Sequence, residues 1–403
     1  MKIFLIACLI VCVIGQAVAA IGPFEICDPD SSAIVRLQCA SQLMTAWESK
    51  DQGANSDRES ALYMKVRRIR PTLRVSIPEY RTSFRVHFNM APGSIELMDF
   101  HFDVKLTPQM QFRIGQYKIP FTRYRIQSFQ RLTFVDWSIV TKYFGAERQF
   151  GLSVHNGFEK PPRLGYVIGV FNGVNARASH TTRLASIYGE EIINRSDLSE
   201  SAPKSEFHPE IAGHFAFSTG GINISSDSDP EGGPLRYSLA SSIAWDMDPV
   251  AYEELALRGA QEILIKYQHL SLMMTGYVGF TAIDDSYRTR QAFSGILVQS
   301  SYRMNERIEF SLRYAYMDID DFISDDAYDR AQTIIAGTDD EDVISQYEGA
   351  GLLFSEQEGT IGFNIYLDDH NFKLQNDFGF TKYERRDGDL TDYLVRSQIQ
   401  LAF

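Results

Sequence analysis

Arginines recur at even spacing between residues 68 and 85: Arg68, Arg70 and Arg74 in one run, Arg81 and Arg85 in the next. In an extended chain, residues two apart share a face. Ile69, Leu73 and Val75 then share the opposite face of the first run. Phe84, Val86 and Phe88 oppose the second, whose polar side adds Ser83 and His87. The chemistry open to such a row is electrostatic, because guanidinium groups on a wet face bind and guide anions. A cation facing lipid costs roughly 2–4 kcal/mol near the bilayer midplane, so in a membrane strand these arginines turn toward water. More cations follow at Arg113, Lys118, Arg123, Arg125, Arg131, Lys142 and Arg148, with only Asp136 and Glu147 as acids between 118 and 148. The whole chain carries −13, yet residues 62–148 hold 15 Lys/Arg against 6 Asp/Glu, and 149–403 hold 20 against 39. Such asymmetry asks for a physical reason. One is a wall built for anions. The plainer one is that the arginines hold Asp99, Asp103 or Glu79 across the same face and leave little net field.

Other chemistries find little support. Ser153 and His155 share a strand face, but no third group stands beside them as orienter, and catalysis is not expected. The eight histidines include no close pair at metal-ligand spacing,. Asp227–Gly232 (DSDPEG) looks faintly like a calcium loop, yet position twelve is Ser238 and not an acid,. No glycine loop leads into a helix to hold phosphate, and the acidity argues against nucleic acid. No metal or cofactor is expected. Cys27 and Cys39 would be exported together into an oxidising compartment, where they either pair or remain two thiols.

The elements that must position the arginines follow from hydropathy. Residues 1–20 carry Lys2, an apolar run from Ile3 to Gly15 and small residues at Ala17, Ala19 and Ala20, the pattern of a cleaved signal peptide,. Cys8 and Cys12 lie inside that run, which disfavours a lipoprotein. No later stretch approaches the roughly 18 apolar residues of a membrane helix. From 21 to 403 the dominant signal is period two, in segments of about ten residues separated by turns. In DYLVRSQIQLAF, Val395, Ile399, Leu401 and Phe403 oppose Arg396, Gln398 and Gln400; in RIEFSLRYAYM, Ile308, Phe310, Leu312, Tyr314 and Tyr316 oppose Glu309, Ser311 and Arg313. Sixteen such segments are expected, beginning at 34–47, where a short helix is the alternative. The others fall at 62–76, 78–90, 95–106, 108–118, 147–156, 163–172, 207–219, 235–246, 261–271, 273–283, 290–302, 306–317, 358–367, 370–382 and 391–403. The expected fold is all-β: a 16-stranded antiparallel transmembrane barrel, closed because lipid satisfies no open sheet edge. Short periplasmic turns (91–94, 107–108, 368–370) alternate with long extracellular loops at about 119–146, 173–206, 220–234, 247–260 and 318–357. The segment DPVAYEELALRGAQ, with Pro249 at its start, is expected to form a short loop helix. Much of the acidity of the second part reads as exposed loop charge.

At 65–121 the pattern resembles the phosphate-selective porin family, porins O and P. The matching features are the paired Arg67 and Arg68, a hairpin ending in an acidic strand, and a strand end with Gly115, Gln116, Lys118, Pro120 and Phe121. Further along come YVIGVFNGVN from Tyr166, Glu309 with Arg313 and Tyr314, GFNIYLDDHNFKLQ from Gly362, and Phe403. The resemblance covers most of the chain from 21 onward, in order. It implies a trimeric porin of the bacterial outer membrane whose third loop, about 119–146, folds inward as a constriction. Arginine-lined walls would lead anions, phosphate among them, to that point, with pore-lining residues Arg68, Arg70, Arg74, Arg81, Arg85, Arg113, Lys118, Arg123, Arg125 and Arg131. The acidic loops and later strands depart from a strongly anion-selective pattern, so anion-favouring diffusion of small hydrophilic solutes is the better expectation than phosphate specificity. Partners are those small solutes and the surrounding lipid and lipopolysaccharide. The alternative class is a non-conducting surface barrel, an adhesin or structural protein working through its acidic loops.

Overall fold

The computed structural model describes residues 24–27, 32–53, 57–91, 93–145, 148–158, 160–173, 209–247, 257–283 and 288–403. The expected signal peptide, 1–20, lies outside them. Seventeen strands are described. A short first strand, β1 (Phe24–Cys27), pairs only with the start of β2. The others run β2 (Ile34–Lys50), β3 (Glu59–Ile77), β4 (Thr82–Asn89), β5 (Glu96–Thr107), β6 (Met110–Lys118), β7 (Arg148–His155), β8 (Leu164–Phe171) and β9 (Glu210–Ser218). They continue with β10 (Arg236–Asp246), β11 (Leu257–Tyr267), β12 (Leu270–Ile283), β13 (Arg288–Arg303), β14 (Ile308–Ile319), β15 (Leu353–Asp368), β16 (Phe372–Arg385) and β17 (Leu390–Ala402). Each pairs antiparallel with its neighbours in sequence, and β17 pairs with β2, so β2–β17 close a 16-stranded barrel with no free edge. Each of the sixteen expected segments holds one of the strands β2–β17, 34–47 included.

Alternation drives the assembly. In β10 (RYSLASSIAWD) every second residue is buried, and Tyr237, Leu239, Ile243 and Trp245 lie outside, 37–52% exposed. Phe102, Ile114, Leu152, Phe310, Leu312, Ile361 and Phe378 extend this apolar exterior around the ring, each 41–58% exposed. So wide an apolar surface on a closed barrel with a polar interior is a membrane belt. Among the described residues no helix is long and apolar enough to cross a membrane.

One end of the barrel carries the turns 78–81, 108–109, 268–269, 304–307 and 369–371, and the other carries the long connections; in a barrel of this type these ends face periplasm and exterior respectively. Several connections depart from expectation. The short 90–95 connection belongs to the long-loop end, whereas 219–235, expected outside, joins β9 to β10 at the turn end. Tyr267 ends β11, because Gln268 and His269 take positive φ (45° and 72°) in a two-residue turn, so the expected strand 261–271 is cut short. Of the expected 248–261 helix, 248–256 fall outside the described residues and Leu257–Gln261 are strand. The 320–352 connection holds two helices the loop reading lacked, Asp321–Ala336 and Glu341–Tyr347, the first burying Ile323, Ala327 and Ala331. Cys27 and Cys39 are free thiols. Cys27 pairs with Ile34, five residues along β2 from Cys39, or about 16 Å at the rise of a strand, far beyond disulfide reach,.

Candidate functional site

The connection between β6 and β7 folds into the lumen. It contains α1 (Arg123–Ile126), a 3-10 turn (Phe129–Arg131) and α2 (Ile139–Phe144). Its apolar residues explain the direction: Ile119, Phe121, Tyr124, Phe134, Val140 and Phe144 are at most 1% exposed, and a loop in water would not hold them,. The inner wall receives them with small residues. Ala244, Ala260 and Ala315 share one cluster with Val140 and Phe144, and Gly295 is so close that a Cβ there would meet Val140 at 2.7 Å. Phe144 stacks on Tyr277 with centroids 5.1 Å apart.

Wall carboxylates then hold the loop backbone. Glu262 accepts from the N–H groups of Arg123 (2.8 Å) and Tyr124 (3.3 Å), Asp377 from Val135 (3.1 Å) and Glu358 from Ile139 (2.8 Å). In return Lys373 donates to the Leu132 carbonyl (2.7 Å) and Asn364 to that of Thr133 (2.7 Å). Glu262, Glu358 and Asp377 of the second part thus do structural work inside the barrel, beside the exposed loop acids such as Asp325, Asp326 and Asp340.

The loop is also clasped to the basic wall. A bulge in β3 places Arg67 between Val66 and Arg68, which pair with Leu43 and Gln42. This one extra residue turns both arginines inward, where strict alternation would send one to lipid. Arg67 reaches Asp136 at 2.8 Å and Arg68 at 3.7 Å, with Lys142 at 3.4 Å from the same carboxylate. Burial alone would raise the Asp136 carboxyl, but Arg67, Lys142 and Arg68 outweigh it and hold it well below the usual range. Gly115, in the strand leading to the loop, takes φ 130°, and a Cβ there would meet the Phe100 carbonyl at 2.1 Å, which explains the glycine of that strand end,.

Between loop and wall a cavity of about 620 Å³ remains. Its charged lining is Arg70, Arg74, Arg85, Arg113, Lys118, Arg123, Arg131, Arg148 and Lys160 against Asp99 and Asp368. Some of these cations have acidic partners, as the plainer sequence reading held: Arg148 meets Asp99 at 2.6 Å, Arg85 the same carboxylate at 3.8 Å, and Arg113 meets Asp103 at 2.7 Å. Others meet aromatic faces, with Arg113 4.2 Å from the Phe158 centroid and Arg70 4.7 Å from that of Phe129,. Cations still outnumber acids.

The ten residues expected to line the pore therefore divide. Arg70, Arg74, Arg85, Arg113, Lys118, Arg123 and Arg131 border the cavity. Lys118 donates to the Arg125, Ile126 and Gln127 carbonyls, and Arg123 to the Ile224 carbonyl. Arg131 makes no side-chain hydrogen bond, ion pair or ring contact among the described residues. Arg68 lies inward but beneath Phe129 and Trp137, and Arg125 is buried against Trp137 at 4.8 Å. Arg81 is a correction: it sits in the turn before β4 at φ 51°, exposed, donating to the Leu106 carbonyl. Arg148, counted in the sequence among the cations of the constriction but not in the pore-lining set, borders the cavity from the start of β7 beside Asp99. Ser153 hydrogen-bonds Tyr117 (2.8 Å), while His155 lies 3.5 Å from Asp103, so no serine–histidine pair forms. No metal-binding cluster occurs among the described residues.

A closed 16-stranded barrel with an apolar belt and an inward third loop has the architecture of outer-membrane porins. Solved structures agree on the fold. The outer membrane channel DcaP of Acinetobacter baumannii superposes with TM-score 0.57 at 12% identity, covering 94% of this chain and 99% of that one. The anion-selective porin from Comamonas acidovorans gives 0.54 at 12%, covering 92% and 100%, and Salmonella typhi OmpF in complex with daunomycin gives 0.53 at 11%, covering 94% and 100%. No protein-family model and no curated protein matches the sequence.

Proposed function

We propose that the protein is a porin of the bacterial outer membrane, passing small hydrophilic solutes by diffusion and favouring anions. The observation that carries this reading is the cavity beside the third loop, lined by nine Lys/Arg side chains against two Asp. Basic walls at a narrow point lower the barrier for anions and raise it for cations. Asp136, the one described acid of the loop between 118 and 145, is turned onto Arg67, Arg68 and Lys142 and contributes no opposing face to the pore. One barrel of the same fold is itself named as anion-selective. Resemblance to porins O and P supports phosphate among the solutes, assembly as a homotrimer, a matrix of lipopolysaccharide and export by the signal peptide at 1–20.

Proteoliposomes carrying the protein are expected to swell in isotonic solutions of a small sugar, and faster in small organic anions than in organic cations of the same size. Absence of swelling in every solute would favour the non-conducting surface barrel instead.

A further inference from the structure

On the turn end, the described connections span two to eight residues, except 219–235 between β9 and β10. Its Ser226-Asp227-Ser228-Asp229 stretch has the composition of a solvated loop, yet these four residues are only 0–3% exposed. Acids buried that deeply need partners. The segment turns up into the lumen and meets the third loop from below. Asp227 accepts from Gln127 Nε2 of that loop (2.5 Å), from Gln299 Nε2 of β13 (3.1 Å) and from the Thr133 N–H (3.4 Å). Lys266 of β11 donates to the Asn223 and Ser228 carbonyls (2.7 and 2.6 Å). Ile224 and Ser225 border the same cavity as Arg123 and Gln127.

We infer that 219–235 is the second half of the constriction: a strut from the periplasmic side that locks the third loop at Asp227 and forms one wall of the pore. The inference rests on the porin reading. Its geometry gives Asp227 three ties from one side chain, to Gln127 and Thr133 of the loop and to Gln299 of the wall, so removing the carboxylate loosens the seam between loop and strut.

The test is single-channel recording in a planar bilayer, with heat-modifiable electrophoretic mobility as the check on folding. Asp227→Ala is expected to raise open-channel current noise and add brief closures. Replacing 220–234 by an Asn-Gly hairpin turn should raise conductance about twofold by clearing the lower lumen. Gln299→Ala, which removes one donor and keeps the acid, is the second local variant and should show the same noise in weaker form. A conducting wild type with unchanged noise and conductance in the folded variants overturns this inference alone. A silent wild type overturns the porin reading beneath it.

Discussion

Asp136→Ala is expected to loosen the third loop from the basic wall and destabilise the protein by roughly 3 kcal/mol, the low end for removing one partner of a buried ion pair. The carboxylate side chain is 18% exposed and lies within 4 Å of three cations, Arg67, Arg68 and Lys142. Their mutual repulsion is left unopposed once it is gone. The sign of the pH dependence follows from its lowered pKa: the stability it contributes is present above the ordinary Asp value and is lost as pH falls through the depressed one,. The loop should therefore stay seated through mildly acidic pH in the wild type. A lower urea midpoint and faster proteolysis within the third loop of the folded variant are the readouts; values equal to wild type would refute the clasp.

Replacing Arg70, Arg74 and Arg131 together by Gln should bring the ratio of chloride to potassium permeability down by about tenfold or more. At about 4 Å a unit charge acts with about 1 kcal/mol even in bulk water, close to a factor of five for each residue. These three are chosen by placement. Arg131 is free of partners among the described residues, Arg74 lies half-buried on the wall, and Arg70 borders the cavity bonded to neutral Asn89 at 3.3 Å. A sequence-based choice of Arg123, Arg125 and Arg131 would include Arg125, which is buried against Trp137, and Arg123, which braces the strut through the Ile224 carbonyl. A permeability ratio unchanged by the Arg70, Arg74 and Arg131 replacements would remove the wall from the mechanism.

The strands were legible because period two survives in a barrel whose two faces meet different solvents. RIEFSLRYAYM reads as buried and exposed in strict turn, as β14 shows. Two features were not legible. The bulge at Arg67 is one extra residue with no Gly or Pro to mark it, so Arg67 and Arg68 could not both be turned inward by alternation. The 219–235 segment looked like an outer loop because acidity signals exposure unless partners are known, and Gln127, Gln299 and Lys266 are distant in sequence. Ala244, Ala260 and Ala315 gave a faint signal: small residues at inward positions mark where something else fills the lumen. The expected set of lining arginines meets the cavity where strands carry it, as for Arg70, Arg74 and Arg85. It erred at Arg81, which a positive-φ turn removes from the strand face.

The reversal potential of the purified protein in a planar bilayer under a tenfold KCl gradient reports whether the lumen conducts and whether its basic wall favours anions. A clear potential of the sign that marks chloride as the more permeant ion is expected. A potential of the opposite sign would contradict it and assign control of the pore to the acidic groups.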